Sequence, residues 1–492
     1  MKTQLTISLL LVAGLVPVTS QGQETNPAVA LQQLQGEFRQ LQQNFERMQQ
    51  QYRQQLEALQ KRMDLLQLTS GGAAPAPGTR PVTGAVAQAV APPSTHPPAA
   101  PLEPKQPWSP TAPIQLFGGQ KSYMNVSFDA LMAAGGSTAK GSALDQLEFG
   151  GHDPKQNGFT MQNLEMVLDG AVDPYFRAQA NLVYQVDSSG ESTFEVEEAY
   201  AETTALPGNF QVKAGQYVTE FGRLNPSHPH TWTFVDQPLV NGRMFGPEGL
   251  RDPGARVSWL APTPFYSEIF LGIQDSQGQT AYSFRNPHPD GRLFGRSAVP
   301  RDVRSFGDLL FTPRYAVSLD LTEAQTVLGG VSAAFGPNAS GQDTSTQVYG
   351  VDLFWKWRPV TQHGGFPFVS WQTEAMLRHY QAGAYSNPDT GQHLPYETLV
   401  DYGVYSQVAW GFKKGWVTAL RGDWVSGDRA AFYPDPNRDP RWRVSPNLTW
   451  FPTEFSKIRL QYNYDHGQDT GVDHSVWLQF EFMLGAHAAH KF

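Results

Sequence analysis

From residue 114 onward apolar and polar positions alternate with a period of two, which predicts strands rather than helices. The clearest instance surrounds a turn at Asp173-Pro174. After it, Phe176, Ala178, Ala180, Leu182, Tyr184 and Val186 alternate with Arg177, Gln179, Asn181, Val183 and Gln185. Before it, Leu164, Met166 and Leu168 alternate with Asn163, Glu165 and Asp169. Two such runs about a turn predict a long hairpin with one apolar and one polar face. The last run repeats the pattern, with Val476, Leu478, Phe480, Phe482 and Leu484 set against Ser475, Trp477, Gln479, Glu481 and Met483. Strand character recurs over 123–131, 210–217, 315–321, 347–357, 404–410, 416–425 and 457–464. Such strands exceed the roughly five or six residues usual in globular proteins and suit a tilted membrane crossing of about ten. A soluble antiparallel protein would alternate as cleanly. Strand length, a polar face carrying Arg, Gln and Glu, and a final Phe492 favour the membrane. At some 20 to 25 residues per strand and connection, 114–492 predicts an all-β fold, a transmembrane antiparallel β-barrel of about 16 strands.

A different period governs the N-terminal part. Leu31, Leu34, Phe38, Leu41, Phe45, Met48, Tyr52, Leu56, Leu59, Met63 and Leu66 follow in steps of three and four, with one extra four between Tyr52 and Leu56. That is a heptad seam with a stutter, and it predicts an α-helical coiled-coil segment over 22–69. Self-association would cover the apolar stripe; packing on its own barrel is the alternative. Residues 70–113 turn to Pro, Ala, Gly and Thr and read as an extended spacer. Ahead of both, Lys2, an apolar run over 5–16 and the small residues Val18, Thr19 and Ser20 have the layout of a cleaved secretory signal, 1–21.

Composition narrows the function classes. The 492 residues include no cysteine, which excludes a disulfide scaffold and predicts no lipidated cysteine. Mean hydropathy is −0.41, and no other apolar run approaches the roughly 20 residues of a membrane helix. A net charge of −9 together with export argues against nucleic-acid binding. No Gly-x-Ser-x-Gly elbow, phosphate-cradling glycine loop or His-Glu-x-x-His helix occurs, so enzyme chemistry is not expected, nor is a cofactor. Aromatics at 12% suit interfacial girdles, a sugar-binding ladder or an ordinary β-core.

The stretch Val212-Lys-Ala-Gly-Gln-Tyr-Val-Thr-Glu-Phe-Gly-Arg223 resembles the phosphate-selective porin O/P family, as do Ser445-Pro-Asn-Leu-Thr-Trp-Phe-Pro and Lys457-Ile-Arg-Leu-Gln-Tyr-Asn-Tyr. The resemblance implies a 16-stranded barrel, a homotrimer, a loop folded into the pore and passage of small anions. A coiled coil ahead of a porin is similar to the sucrose-type porins, which keeps a sugar channel open. The C-terminal histidines resemble those of porin-like proteins linked to metal supply. Porin chains end on an aromatic that signals insertion, so Phe492 is the expected contact for the barrel-assembly machinery. Outer-membrane lipid and lipopolysaccharide are expected around the barrel, and the cell wall is a candidate partner of the coiled coil.

Three clusters are candidates for function. Arg223, His228, His230 and Asp236 fall in a proline-broken loop. Folded inward, it would line a constriction; His-x-His with a carboxylate is also a metal-ligand pattern, and the plain alternative is a polar loop whose histidines hydrogen-bond locally. Arg243, Arg251, Arg285, Arg292, Arg296, Arg301 and Arg304, with Arg256 and Arg314 nearby, would attract anions if they line the pore. Interspersed Asp290, Asp302 and Asp308 would instead neutralise them on a solvated or lipopolysaccharide-contacting loop. His487 and His490 have a spacing that permits two metal ligands, against a plain solvated tail. Passive diffusion of small hydrophilic solutes with an anion bias is the leading expectation. A sugar channel, for which Trp355 and Trp357 would form part of a ladder unless they belong to a lipid-side girdle, and a tether between outer membrane and cell wall are the alternatives.

Overall fold

A computed structural model describes residues 113–118, 122–171, 173–186, 190–285, 292–428, 431–468 and 471–485. The signal, coiled coil and spacer, and His487, His490 and Phe492, lie outside the described residues. The strands, in chain order, are β1 (Ile114–Gly118), β2 (Tyr123–Ser137), β3 (Gly158–Ala171), β4 (Phe176–Val186), β5 (Ser192–Thr203), β6 (Phe210–Val218), β7 (Arg251–Leu260) and β8 (Tyr266–Gln274). They continue as β9 (Leu310–Thr322), β10 (Gln325–Pro337), β11 (Ser345–Trp357), β12 (Phe368–Ala382) and β13 (Glu397–Lys413). The last four are β14 (Trp416–Gly427), β15 (Arg441–Thr453), β16 (Ser456–Gly467) and β17 (Gly471–Leu484). Two short helices interrupt them, α1 (Ser142–Leu147) and α2 (Leu239–Phe245).

Each strand from β2 to β17 pairs antiparallel with the next, and β17 returns to β2 through Phe128↔Leu484 to Ser137↔Ser475. The result is a closed barrel of 16 strands. The short β1 pairs with the first residues of β2, Ile114 opposite Val126, where β17 has already ended. Closure leaves no unpaired edge, the condition for a sheet in lipid.

Alternation decides which face is which. On β15 the outward Trp442, Val444, Leu448 and Trp450 are exposed, while Arg443, Ser445, Asn447 and Thr449 are buried inside. The apolar face therefore points outward, the reverse of a soluble β-core. Aromatic side chains bound this apolar zone. Tyr402 and Trp410 on β13, Trp424 and Trp416 on β14, and Trp442 and Trp450 on β15 each sit eight positions apart. Trp416 stacks on Trp450 at 5.9 Å. Eight residues at about 3.4 Å span roughly 27 Å along a tilted strand, the scale of a bilayer core between two girdles. Trp355 and Trp357 belong to this outward face, in the row of Tyr349 and Val351, so they form no sugar ladder in the lumen.

Connections differ at the two ends. One end has tight turns such as Glu323-Ala324, Lys414-Gly415 and Glu454-Phe455; the other carries the long loops 138–157, 219–250 and 275–309. That asymmetry is typical of outer-membrane barrels.

Candidate functional site in the barrel lumen

The loop 219–250, between β6 and β7, is folded into the lumen and bonded to opposite walls. Its start is shaped by Gly222, whose φ of +62° places backbone N–H groups toward β12. The Glu374 carboxylate accepts from the N–H groups of Arg223 at 3.1 Å and Leu224 at 2.8 Å. A Cβ on Gly222 would lie 2.1 Å from that carboxylate, and at this positive φ a side chain is strained, so glycine is favoured. The far part of the loop holds α2, whose Val240, Met244 and Phe245 join inward-facing Met376, Tyr405 and Val425 in an apolar cluster inside the barrel. Asp423 accepts from the N–H of Leu239 at 3.1 Å, a carboxylate at the helix start where the dipole favours it.

Between these anchors the loop crosses from an acidic wall to a basic one. On the acidic wall, His228 Nδ1 is 3.1 Å from Glu197 and 3.5 Å from Glu165, and its Nε2 is 3.1 Å from Glu198. His230 Nδ1 lies 3.1 Å from the other oxygen of Glu165. The His152 ring, from the loop 138–157, faces Glu197 at 3.8 Å and Glu248 at 3.9 Å. On the basic wall, Asp236 is fully enclosed, accepting from Arg421 at 2.7 Å, Arg443 at 2.6 Å, Gln461 at 2.9 Å and Asn463 at 2.7 Å. Burial opposes its ionisation, but Arg421 and Arg443 outweigh it and hold the carboxyl below its ordinary range. Backbone carbonyls of the crossing segment are taken as well, Trp232 by Arg459 at 2.7 Å and Thr233 by Asn447 at 2.9 Å.

Glu197 and Glu198 are neighbours in sequence, yet both are buried in the lumen. Asn181 pairs with Glu198 and Leu182 with Val196, which leaves Glu197 as the extra residue of a β-bulge. Gln162 is a second such residue, since Leu131 pairs with Asn163 and Met132 with Met161. Its side chain donates to the His152 carbonyl at 2.6 Å and to the Val235 carbonyl at 3.0 Å, joining both inserted loops.

The arginines singled out by sequence are scattered. Arg243 donates to the Arg438 and Asp439 carbonyls at 3.0 and 2.8 Å. Arg251 meets Glu195 and, at 3.7 Å, Glu248. Arg285 donates to the carbonyls of Asp275 and, at 2.6 Å, Arg301. Arg296 pairs with Glu397 at 2.8 Å, and Arg301 with Asp308 at 3.4 Å. Arg304 is exposed, its N–H held by Asp308 at 3.1 Å. The side chain of Arg292 is outside the described residues. Asp308 thus pairs with one member of this group. The inward residues Arg378, Arg421 and Arg443 went unselected, although charged residues at every second position of otherwise apolar strands were a usable signal; Glu197 and Glu198, set inward by a bulge, gave no such signal.

On the tight-turn side of the loop lies a vestibule of about 710 Å³. Its cationic lining is Arg177, Lys213, Arg223 and Arg314, and its acidic lining includes Glu198, Glu202 and Glu220. Arg177 pairs with Glu202 at 2.8 Å, Lys213 with Glu220 at 3.4 Å and Arg314 with Asp352 at 2.6 Å. Arg223 instead donates to Gln372 at 3.2 Å and rests 3.9 Å above the Phe354 ring.

A protein of Aquifex aeolicus (strain VF5) described as "Uncharacterized protein" is 32% identical over 392 residues, covering 73% of this chain and 77% of that one. The chain belongs to that protein's family. No protein-family model matches it. Among solved structures, the outer membrane channel DcaP of Acinetobacter baumannii aligns with a TM-score of 0.50 at 12% identity, over 75% of this chain and 99% of that one. An anion-selective porin from Comamonas acidovorans aligns at 0.45 with 7% identity, over 74% and 100%. The DcaP likeness is one of fold. With the closed 16-stranded sheet and its girdled apolar face, it makes this barrel an outer-membrane protein of porin-like architecture.

Proposed function

We propose that the barrel is a passive outer-membrane channel for small hydrophilic solutes, biased toward anions, with phosphate among them. The observation that carries the reading is Arg223 at the vestibule, for which no ion-pair partner is found among the described residues. Held by an amide oxygen and an aromatic face, its guanidinium keeps an unspent charge for a passing anion. The other vestibule cations have carboxylates beside them, so the bias rests on this side chain rather than on the arginines of 243–304. Single-channel recording of the purified protein in a planar bilayer under a salt gradient tests the proposal. Expected are discrete steps, in threes if the barrel is a homotrimer, a reversal potential favouring chloride, block by phosphate, and loss of the bias in Arg223→Ala. Correctly folded barrels that pass no current would overturn it.

A further inference from the structure

We propose that Glu165, Glu197 and Nδ1 of His228 form a binding site for one zinc-type divalent ion that fastens the inserted loop to the acidic wall. One oxygen of each carboxylate and a nitrogen of the imidazole lie within 4.8 Å of one another. For tetrahedral zinc, with bonds of about 2.0 to 2.1 Å, neighbouring donors stand roughly 3.3 Å apart. The two distances from His228 Nδ1, 3.1 Å to Glu197 and 3.5 Å to Glu165, bracket that value. Three side chains from β3, β5 and the loop therefore bring their donor atoms together at one place.

The surroundings are those of a metal site as well. Glu198 lies 3.1 Å from the far nitrogen of His228, and a carboxylate behind a ligating imidazole fixes its tautomer and raises its basicity. Glu165 is oriented by Asn181, which donates to one oxygen at 2.6 Å, and by His230 at 3.1 Å from the other. The ion pairs of these three glutamates are with histidines, in contrast to Asp236, which is held by two arginines. A further carboxylate points the same way. Asp129 stands opposite Glu165 in the β2–β3 ladder; it is fully buried, and neither oxygen has a hydrogen bond. His230 and Lys457 are the cations near it, and a bound ion would add to their effect. His228 and Glu198 line the vestibule, which gives an ion a path in and leaves a fourth position for water.

The test is calorimetric titration of the folded full-length protein with Zn²⁺, and with Ca²⁺ as control, after His487→Ala and His490→Ala remove the tail's imidazoles. The expectation is about one zinc per chain and no comparable calcium binding. Glu197→Gln and His228→Asn should abolish it, and Glu198→Gln, which spares every ligand, should weaken it about 10- to 100-fold. Glu202→Gln, in the vestibule but outside the cluster, should leave the affinity unchanged. Heat-dependent gel migration verifies that each variant is folded. A folded parent that takes up no zinc, or an unchanged affinity in Glu198→Gln and His228→Asn, overturns the site. Binding is read without current, so failure here and failure of the channel reading are separate results.

Discussion

Asp236 carries the inserted loop's negative charge into the basic wall, and its four side-chain partners leave no capacity for water. Removing one partner of a buried ion pair costs about 3 to 5 kcal/mol. Asp236→Asn should fall at the lower end, because Arg421 retains Asp423 and Arg443 retains Glu148 and Asp465. The expected consequence is a loosened loop: trypsin gains access to Arg223 and Arg243, and the conductance rises severalfold. The pH dependence has a definite sign. A carboxyl whose folded value is depressed contributes its full stabilisation above the unfolded value of about 4 and loses it as pH falls through the lower folded value. The ratio of mutant to parent conductance should therefore be the same at pH 7 and pH 5. A ratio that collapses toward one at pH 5 would show Asp236 protonated there, and the arginine tether would be the wrong account.

Strands were legible because lipid and lumen impose opposite demands on alternate residues, as in β4 and β17, whose faces are those read from the sequence. The tight hairpin around Asp173-Pro174 was legible too, with Leu164 opposite Tyr184 and Ala171 opposite Arg177. The bulges were not, because one extra residue breaks the period only locally, and strict alternation cannot place the consecutive Glu197 and Glu198 on one face. The partners of His228 and His230 are some thirty to sixty-five residues away, across register pairings that alternation does not specify. The outward face makes a separate prediction. Leu420 lies midway between Trp416 and Trp424 and is half exposed, at 54%. Leu420→Arg should cost about 2 to 4 kcal/mol, whereas Thr453→Arg at the tight-turn end should cost about 0 to 1. Denaturant-dependent refolding into lipid vesicles measures both. Equal costs would mean that the girdles do not bound the hydrocarbon.

At the scale of the whole barrel, the lumen separates charge across its width. Asp129, Glu165, Glu197, Glu198 and Glu202 are buried on β2, β3 and β5, and Arg378, Arg421, Arg443 and Arg459 on β12 and β14 to β16. The loop answers each wall with the opposite sign, histidines toward the first and Asp236 toward the second. A solute entering the vestibule meets what remains of that field after pairing, so small changes in pairing should tilt the selectivity. Glu202→Gln with Glu220→Gln releases Arg177 and Lys213 and should move the reversal potential further toward anions; Arg177→Gln with Lys213→Gln should move it toward cations. If the barrel alone sets the selectivity, deleting residues 22–113 should leave both shifts intact, while a cell-wall tether would lose its role. Salt separates a field effect from a change of shape. Screening acts over about 10 Å at 0.1 M and about 3 Å at 1 M, so shifts that are electrostatic should be large in dilute salt and shrink severalfold in concentrated salt. Shifts of equal size at both strengths would mean that the substitutions had changed the width of the passage, and the charge separation would then have no part in what the barrel admits.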